Sequence, residues 1–377
     1  MSSTMVDDQH VVIDASASCS KEHQLECDTQ YQDHCSYYKL VHTEQLGRHL
    51  VANCDISAGT SILIDHPLVV GPSVWAKLVC LGCNDAIDPL TVYVCSKCLW
   101  PLCSEKCENS VIHKPECEIL SKDSTESRWG HPMDLTQESP LYDLIIVIRC
   151  LLLRSQNPQA WKLLETMVSH SEKRMSNKLD PHHKGTVEFI KRHLVKDDFE
   201  RNEISHVRGV IYSNAIAYSR KSRVRLRALY PVHSMINHSC LPNLHLSITD
   251  DGSMQVRATV DIKKNEMLTD TYTGTVVPFW ERQNILNDTY YFTCNCLLCI
   301  DPTELGSYFS SHRCLKCPGF FMCPKIINNE INVLCNNCND SKTLTNIKQD
   351  LDKWETRLKL IDIFGKSSPH EVEMEIK

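Results

Sequence analysis

Asn237-His238-Ser239-Cys240-Leu241-Pro242-Asn243 and, further along the chain, Tyr290-Tyr291-Phe292-Thr293-Cys294-Asn295-Cys296-Leu297-Leu298-Cys299 are the stretches on which the fold turns. The second offers three thiols, Cys294, Cys296 and Cys299, one short of the four ligands of a tetrahedral zinc site. Cys240 is the remote candidate for the fourth, and a shared ion would staple the two segments together. The competing reading is a catalytic thiol, with Cys240 activated by His238. Strand alternation is expected to point those two side chains apart, which weighs against it.

The same arithmetic extends outward. Of 21 cysteines, sixteen fall in three groups: Cys80 to Cys117, Cys240 with Cys294 to Cys299, and Cys314 to Cys338. The first reads Cys80-x2-Cys83, Cys95-x2-Cys98, Cys103-x3-Cys107, His113-x3-Cys117, enough ligands for two ions. A C-x2-C turn presents two thiolates from one tight loop. Spacing alone leaves open whether neighbouring or alternate pairs share an ion. Filling all four positions with protein ligands marks structural rather than catalytic zinc. The last group, Cys314-x2-Cys317-x17-Cys335-x2-Cys338, has zinc-ribbon spacing, with Pro318-Gly319 suited to a knuckle turn and Cys323 as an extra thiol. Cys19, Cys27, Cys35, Cys54 and Cys150 are scattered and read as ordinary free cysteines.

Composition excludes several classes. At 377 residues, 42% hydrophobic and 23% charged, the chain reads as two or three globular domains, not as a disordered, collagenous or coiled-coil protein. Lys+Arg 40 against Asp+Glu 47 gives 40 − 47 = −7, a poor balance for gripping phosphate backbones, so direct nucleic-acid binding is not expected. Only 12 glycines argue against Gly-rich nucleotide loops. The start, MSSTMVDDQH, lacks the basic and apolar regions of a signal peptide. The greasy run Leu141 to Leu153 is interrupted by Asp143 and Arg149, short of the ~18 clean residues a membrane span needs. The expectation is an intracellular protein without membrane association, cytoplasmic and/or nuclear, whose reduced thiols are free to bind metal.

Residues 1–37 are polar and aperiodic, expected to be a flexible tail. In 38–77, Leu40, His49 to Ala52 and Ser61 to Ile64 read as short strands separated by turns at Leu46-Gly47 and Ala58-Gly59. Residues 78–120 are the first cysteine group. Residues 121–225 open with a Ser/Asp/Glu-rich connector and become helical. Ser139-Pro140 should start one helix and Pro158 another; helical spacing continues through Val187 to Val195 and Ile204 to Ala217. Strand signals return in 226–283, at Leu244 to Ile248, Met254 to Val260 around an Asp251-Gly252 turn, and Glu266 to Tyr272. The segments 284–300 and 301–340 carry the later cysteines, and 341–377 should hold a helix over Ile347 to Phe364.

Two motifs then point to a family. Cys103-Ser104-Glu105-Lys106-Cys107 followed by His113-Lys114-Pro115-Glu116-Cys117 resembles the MYND zinc finger. Leu46-Gly47-Arg48-His49-Leu50, Asn237-His238-Ser239-Cys240-x-Pro242-Asn243, Tyr272 and Tyr290-x-Phe292-x-Cys294-x-Cys296-x2-Cys299 resemble the SET domain of protein-lysine methyltransferases. A finger inserted between the first strands and the Asn-His-Ser-Cys segment is similar to the SET and MYND domain family, over about residues 38 to 300. The cysteine-rich tail resembles its arthropod branch. The chain departs from the family at Val111, where many MYND fingers carry a Trp, and at Ile216, where the Asn-Ala-Phe pattern has an aromatic. The basic run Arg220 to Arg227 is expected to be a solvated loop, or else a wall for an acidic substrate.

The resemblance implies an α+β fold: a β-rich SET core with an inserted MYND finger, an inserted helical subdomain, a post-SET zinc site and a zinc-ribbon-like tail. It implies interleaved metal ligands, Cys80, Cys83, Cys103 and Cys107 on one ion and Cys95, Cys98, His113 and Cys117 on the other. It implies S-adenosyl-L-methionine as cofactor, lined by Gly47, Arg48, His49, Asn237 and His238 with Tyr290 and Phe292. An acceptor lysine of a histone or non-histone protein would meet the methyl group at Tyr272, tying the chain to chromatin and transcription. The alternative is a non-catalytic adaptor whose finger binds proline-containing peptides beside a degenerate SET core; the intact Asn237, His238 and Tyr272 favour the enzyme.

Overall fold

The computed structural model describes residues 12–13, 37–74, 76–121, 141–177, 181–195, 198–220, 224–321, 325–327, 330–343, 346 and 349. The Ser139-Pro140 helix start and all of the Ile347 to Phe364 helix but residue 349 fall outside them, as do Cys19, Cys27, Cys35 and Cys323. The chain divides into two compact units, Met1–Asp270 with Thr289–Tyr291, and Thr271–Asp288 with Phe292–Lys377.

In the first unit, β1 (Val12–Ile13), β2 (Tyr38–Thr43) and β3 (Gly47–Ala52) form one antiparallel sheet. The apolar Val12-Ile13 pair thus departs from the tail expected over 1–37, and pairs with Val41 and Leu40. The β2–β3 turn closes on Gly47 at φ +65, a left-handed conformation that a side chain resists. A second sheet orders β11 (Leu244–Ile248), β12 (Met254–Ala258) and β4 (Ser61–Asp65). Its hairpin turns at Gly252, φ +89, where the Asp251 carboxylate accepts from Ser253 N. A third sheet has β9 (Arg225–Leu229) between β5 (Val69–Pro72) and β8 (Ile216–Ser219).

Three expectations are corrected here. Arg225 to Arg227 lie in the central strand β9, not in a loop, because Leu226, Ala228 and Leu229 are all buried, Leu226 and Leu229 in one core cluster and Ala228 in another. Arg227 pairs with Asp143, and Arg220 donates to Cys83 O at 3.2 Å. The helix ending the insertion, α7 (Arg201–Asn214), stops before Ala217: Ala215 is extended and Ile216 starts β8. Of the strand read from Glu266 to Tyr272, only β13 (Thr269–Asp270) forms, and it runs parallel to β10 (Asn237–His238).

The helical insertion is held by α3 (Tyr142–Gln156), whose IIVIRCLL run is nearly all buried. It packs with α4 (Pro158–Glu165), α5 (Ser171–Ser176), α6 (Pro181–Phe189) and α7 around Trp161, Leu164, Val207 and Val210. Pro158 does open α4, with the Asn157 side chain capping Ala160 N at 3.1 Å. Residues Ile190–Val195 form a π-helical turn rather than α-helix. The 78–120 segment carries β6 (Tyr93–Val94), β7 (Pro101–Leu102), α1 (Glu105–Glu108) and α2 (His113–Leu120).

The second unit holds most of α8 (Phe279–Tyr290), α9 (Leu297–Ile300), the β14–β15 hairpin (His312–Arg313, Phe320–Phe321) and the sheet β16-β17-β18 (Lys325–Ile327, Glu330–Leu334, Ser341–Thr343). Its small core is Cys314, Phe321, Val333 and Cys335.

Candidate functional site

The 78–120 segment gathers its ligands in two sets. The ligand atoms of Cys80, Cys83, Cys103 and Cys107 lie within 4.8 Å of one another, as do those of Cys95, Cys98, His113 and Cys117. Cys83 and Cys103 sulfurs are 3.7 Å apart, Cys95 and Cys117 3.6 Å, and Cys98 Sγ is 3.6 Å from His113 Nε2. A tetrahedron with Zn–S of about 2.3 Å has edges of about 3.8 Å, so both sets fit zinc. Local sequence makes the knuckles. After each C-x2-C pair a residue adopts positive φ, Asn84 at 59° and Leu99 at 62°, and its N–H returns to the first cysteine's carbonyl. At Gly82 a Cβ would meet Cys107 Cβ and O at 2.6 Å, so only glycine fits. Hydrogen bonding from Cys83 pulls the Cys80 thiol down to about 5, while burial pushes Cys98 up; a cation would favour the thiolate at both.

Behind the second set stands a buried brace. His113 Nδ1 faces Glu116 Oε1 at 3.4 Å, and Glu116 is bound by Arg149 of α3 at 2.7 Å. The same guanidinium donates to Val70 O on β5, Asn84 Oδ1 and Leu81 O at 2.7–2.8 Å. One side chain therefore ties α3, a sheet, the first knuckle and α2 together. Its sequence signal was a lone arginine inside IIVIRCLLL.

In the second unit, Cys314, Cys317, Cys335 and Cys338 also converge, with sulfurs 3.8 Å apart for Cys314–Cys338 and 3.5 Å for Cys317–Cys335. Asn339, φ 54, repeats the knuckle pattern with its N–H on Cys335 O. Cys294, Cys296 and Cys299 lie together, Gln283 bonding Cys294 through both N–H and C=O. Cys240, buried in the first unit, has His238 Nε2 3.2 Å from its sulfur. This corrects the expectation that the pair points apart: residues two apart share a face of an extended chain.

The residues expected around the cofactor have distinct settings. Asn237 Nδ2 donates to Leu46 O at 3.3 Å, joining the Asn-His-Ser-Cys segment to the Leu46-Gly47 turn. Arg48 is committed to α4's end, donating to Thr166 Oγ1 at 2.9 Å and to Thr166 O. His49 is buried with Nδ1 3.1 Å from Gly47 O. A Cβ at Gly47 would meet nothing within 4 Å, so open space lies beside this backbone. Tyr290 belongs to the first unit, its hydroxyl raised by burial against the lowering pull of Arg174. Phe292 and Tyr272 belong to the second, and Tyr272 stands half-buried in a turn where Thr271 Oγ1 donates to Thr273 O at 2.7 Å.

Sequence reasoning missed several buried polar residues here. Arg174 lies 4.4 Å from the Tyr212 ring and donates to Thr289 O, bracing the turn at Tyr291, φ 60. Tyr291 Oη is buried with no hydrogen-bond partner among the described residues. His233, Asp270 and Asp65 form a second group; nothing in their spacing marks them as neighbours.

Residues 47–273 match the SET domain family, more than half of the chain. The chain belongs to the SET domain family. Several of the proteins it is similar to are named as SET and MYND domain proteins. It is 28% identical to "SET domain-containing protein SmydA-8, isoform A" of Drosophila melanogaster, over 71% of this chain and 57% of that one. A SET and MYND domain-containing protein of Dictyostelium discoideum is 23% identical over 81% of this chain and 96% of its own length. "N-lysine methyltransferase SMYD2-B" of Danio rerio is 25% identical over 54% and 47%. The chain thus spans 57% of the length of its Drosophila relative. Among the described residues, no helix is long and apolar enough to cross a membrane.

Proposed function

We propose that this protein is an S-adenosylmethionine-dependent protein-lysine N-methyltransferase acting on histone or non-histone proteins. The observation that carries the reading is the Asn237–Leu46 hydrogen bond, which unites the two sequence-distant cofactor motifs around open space at Gly47. With it we propose the division drawn from the sequence: SET strands 38–77, a MYND finger at 78–120, a helical insertion at 121–225, SET core at 226–283, a post-SET segment at 284–300 and a zinc-bearing tail. Zinc is assigned to both finger sets, to the ribbon set, and to Cys294, Cys296 and Cys299 with Cys240 as fourth ligand.

Bound S-adenosylmethionine supplies an electrophilic methyl group on a sulfonium. The residues of this chain then have modest tasks. The backbone at Gly47, Arg48 and His49, the Asn237 amide, His238, Tyr290 and Phe292 hold and orient the cofactor. The Tyr272 oxygen aligns the transferring methyl group and stabilises positive charge growing on the lysine nitrogen. The remainder is exclusion of water and in-line placement of a neutral amine.

Calorimetric titration with S-adenosylmethionine and transfer of labelled methyl to a protein array test this. Tyr272→Phe should keep cofactor affinity within about three-fold and lose on the order of 10²–10³ in turnover, as expected for a contact made only in the transition state. Asn237→Ala should lose affinity instead. A wild-type protein that binds no cofactor would sink the enzyme. The adaptor reading draws on the exposed Leu90 and Val111 of the finger; it requires a proline-containing peptide to bind and no methyl transfer.

A further inference from the structure

We propose that His233 and Asp270 are a positioning pair, fixing the end of the β10–β13 ladder from which the chain passes to Tyr272. The inference rests on the methyltransferase reading above. His233 is 5% exposed and Asp270 9%, and Nε2 of one lies 3.3 Å from Oδ2 of the other. A carboxylate only accepts, so Nε2 carries the proton and donates. His233 Nδ1 is buried with no hydrogen-bond partner among the described residues, so this single bond sets the ring's orientation.

His233 is held at its other end too. Asp65 Oδ2, on β4, accepts from Val232 N at 2.9 Å and His233 N at 2.7 Å. Asp270 is likewise fixed twice. Its carbonyl accepts from Ser239 N at 2.9 Å, and it stands opposite His238 in the parallel register. The brace thus runs from the β11-β12-β4 sheet through His233 to Asp270, where the first unit's main segment ends. Two residues on in sequence is Tyr272.

The rest of the local framework does not depend on this pair. Asn243 Oδ1 accepts from Thr269 N at 2.8 Å and its amide donates to Met267 O at 2.9 Å, while Asn237 holds Leu46 independently. Removing the pair should therefore leave the cofactor motifs in place and loosen the chain just beyond Asp270. An apolar pair could fill the same volume, but a buried directional bond admits one geometry where packed methyls admit several. The consequence is a split between binding and turnover. Small misplacement of a reacting group costs rate, not ground-state affinity.

The test uses the full chain with Asp270→Ala, His233→Phe, their double variant, and the conservative Asp270→Asn and His233→Gln, each retaining a suitable acceptor or donor. Cofactor affinity, turnover and melting temperature are measured for each. Expected are an about ten-fold loss of turnover in both disruptive variants, no further loss in the double variant, cofactor affinity within about three-fold, and recovery of most turnover in both conservative ones. Undiminished turnover in Asp270→Ala and His233→Phe, or additive losses in the double variant, would overturn the pair. Should the disruptive variants not fold, the conservative ones decide: well-folded Asp270→Asn lacking turnover would mean charge, not position, matters, and retained turnover supports the pair. An inactive wild type would bring down the methyltransferase reading and this inference together, an outcome separate from active wild type with indifferent variants.

Discussion

Arg149→Met is the perturbation whose consequence the structure fixes most closely. Arg149 is 8% exposed and its partner Glu116 0%; between them run two bonds, at 2.7 and 3.0 Å. Three further bonds satisfy Val70 O, Leu81 O and Asn84 Oδ1. Methionine fills much of the volume, so cavity cost is small and the electrostatic loss dominates. An uncompensated buried carboxylate costs about 3–5 kcal/mol. The abandoned carbonyls add to this only if water cannot reach them. Against a typical domain stability of about 5–15 kcal/mol, that is a large fraction. It corresponds to a fall in melting temperature on the order of 5–10 °C.

The second half of the experiment separates stability from metal holding. Adding Glu116→Leu removes the stranded charge and should restore most of the loss, because two apolar groups can replace a buried ion pair at little net cost. It should not restore zinc retention, because His113 Nδ1 then loses its orienting carboxylate, a change that commonly costs 10–100-fold in metal affinity. Thermal unfolding and zinc release to a chromophoric chelator read the two effects separately. Arg149→Met melting within about 1 °C of wild type would refute the brace. A double variant holding zinc as tightly as wild type would refute the role of Glu116 behind His113.

Elemental analysis should find four zinc ions per chain, falling towards three in Cys240→Ser; two or fewer in the wild type would refute the assignments beyond the finger. Glycine substitutions should diverge. Gly82→Ala forces a Cβ to within 2.6 Å of Cys107 and should cost zinc and fold together, whereas Gly47→Ala meets open space and should cost about 1–2 kcal/mol for its left-handed φ while weakening cofactor binding. Equal melting temperatures for the two would contradict this. Burial lifts Asp65 from 3.8 to about 6, so its ionisation is penalised in the folded state. Its favourable contribution is complete below about pH 4 and is lost as pH rises through about 6, a change of about 3 kcal/mol. Asp65→Asn, which keeps an oxygen for both N–H groups, should flatten the stability curve across that window; parallel curves would refute it.

Legibility in the sequence tracks the range of the interactions. The metal sets are local at the level of pairs: a C-x2-C turn makes a knuckle almost anywhere, and Asn84, Leu99 and Asn339 repeat the same left-handed closure. The helix at Pro158 and the Asp251-Gly252 hairpin were legible for the same reason. Strand length was not, because β13 stops at Asp270 where its parallel partner β10 stops, and no residue in Glu266 to Tyr272 announces that limit. The basic run Arg220 to Arg227 misled because two of its charges are met from afar, Arg227 by Asp143 on α3 and Arg220 by Asp85. The buried polar residues were least visible. Arg149, Arg174, His233 and Asp270 each find a partner in a segment far away in sequence, so each reads alone as an oddity in its own. In this chain those oddities lie where elements far apart in sequence are joined: a finger ligand to α3, α5 to the Tyr290 turn, and β4 to the ladder leading to Tyr272. A charged residue inside an otherwise apolar run is desolvated only where partners await it. Such positions are therefore the places to look for tertiary joints before a structure is at hand.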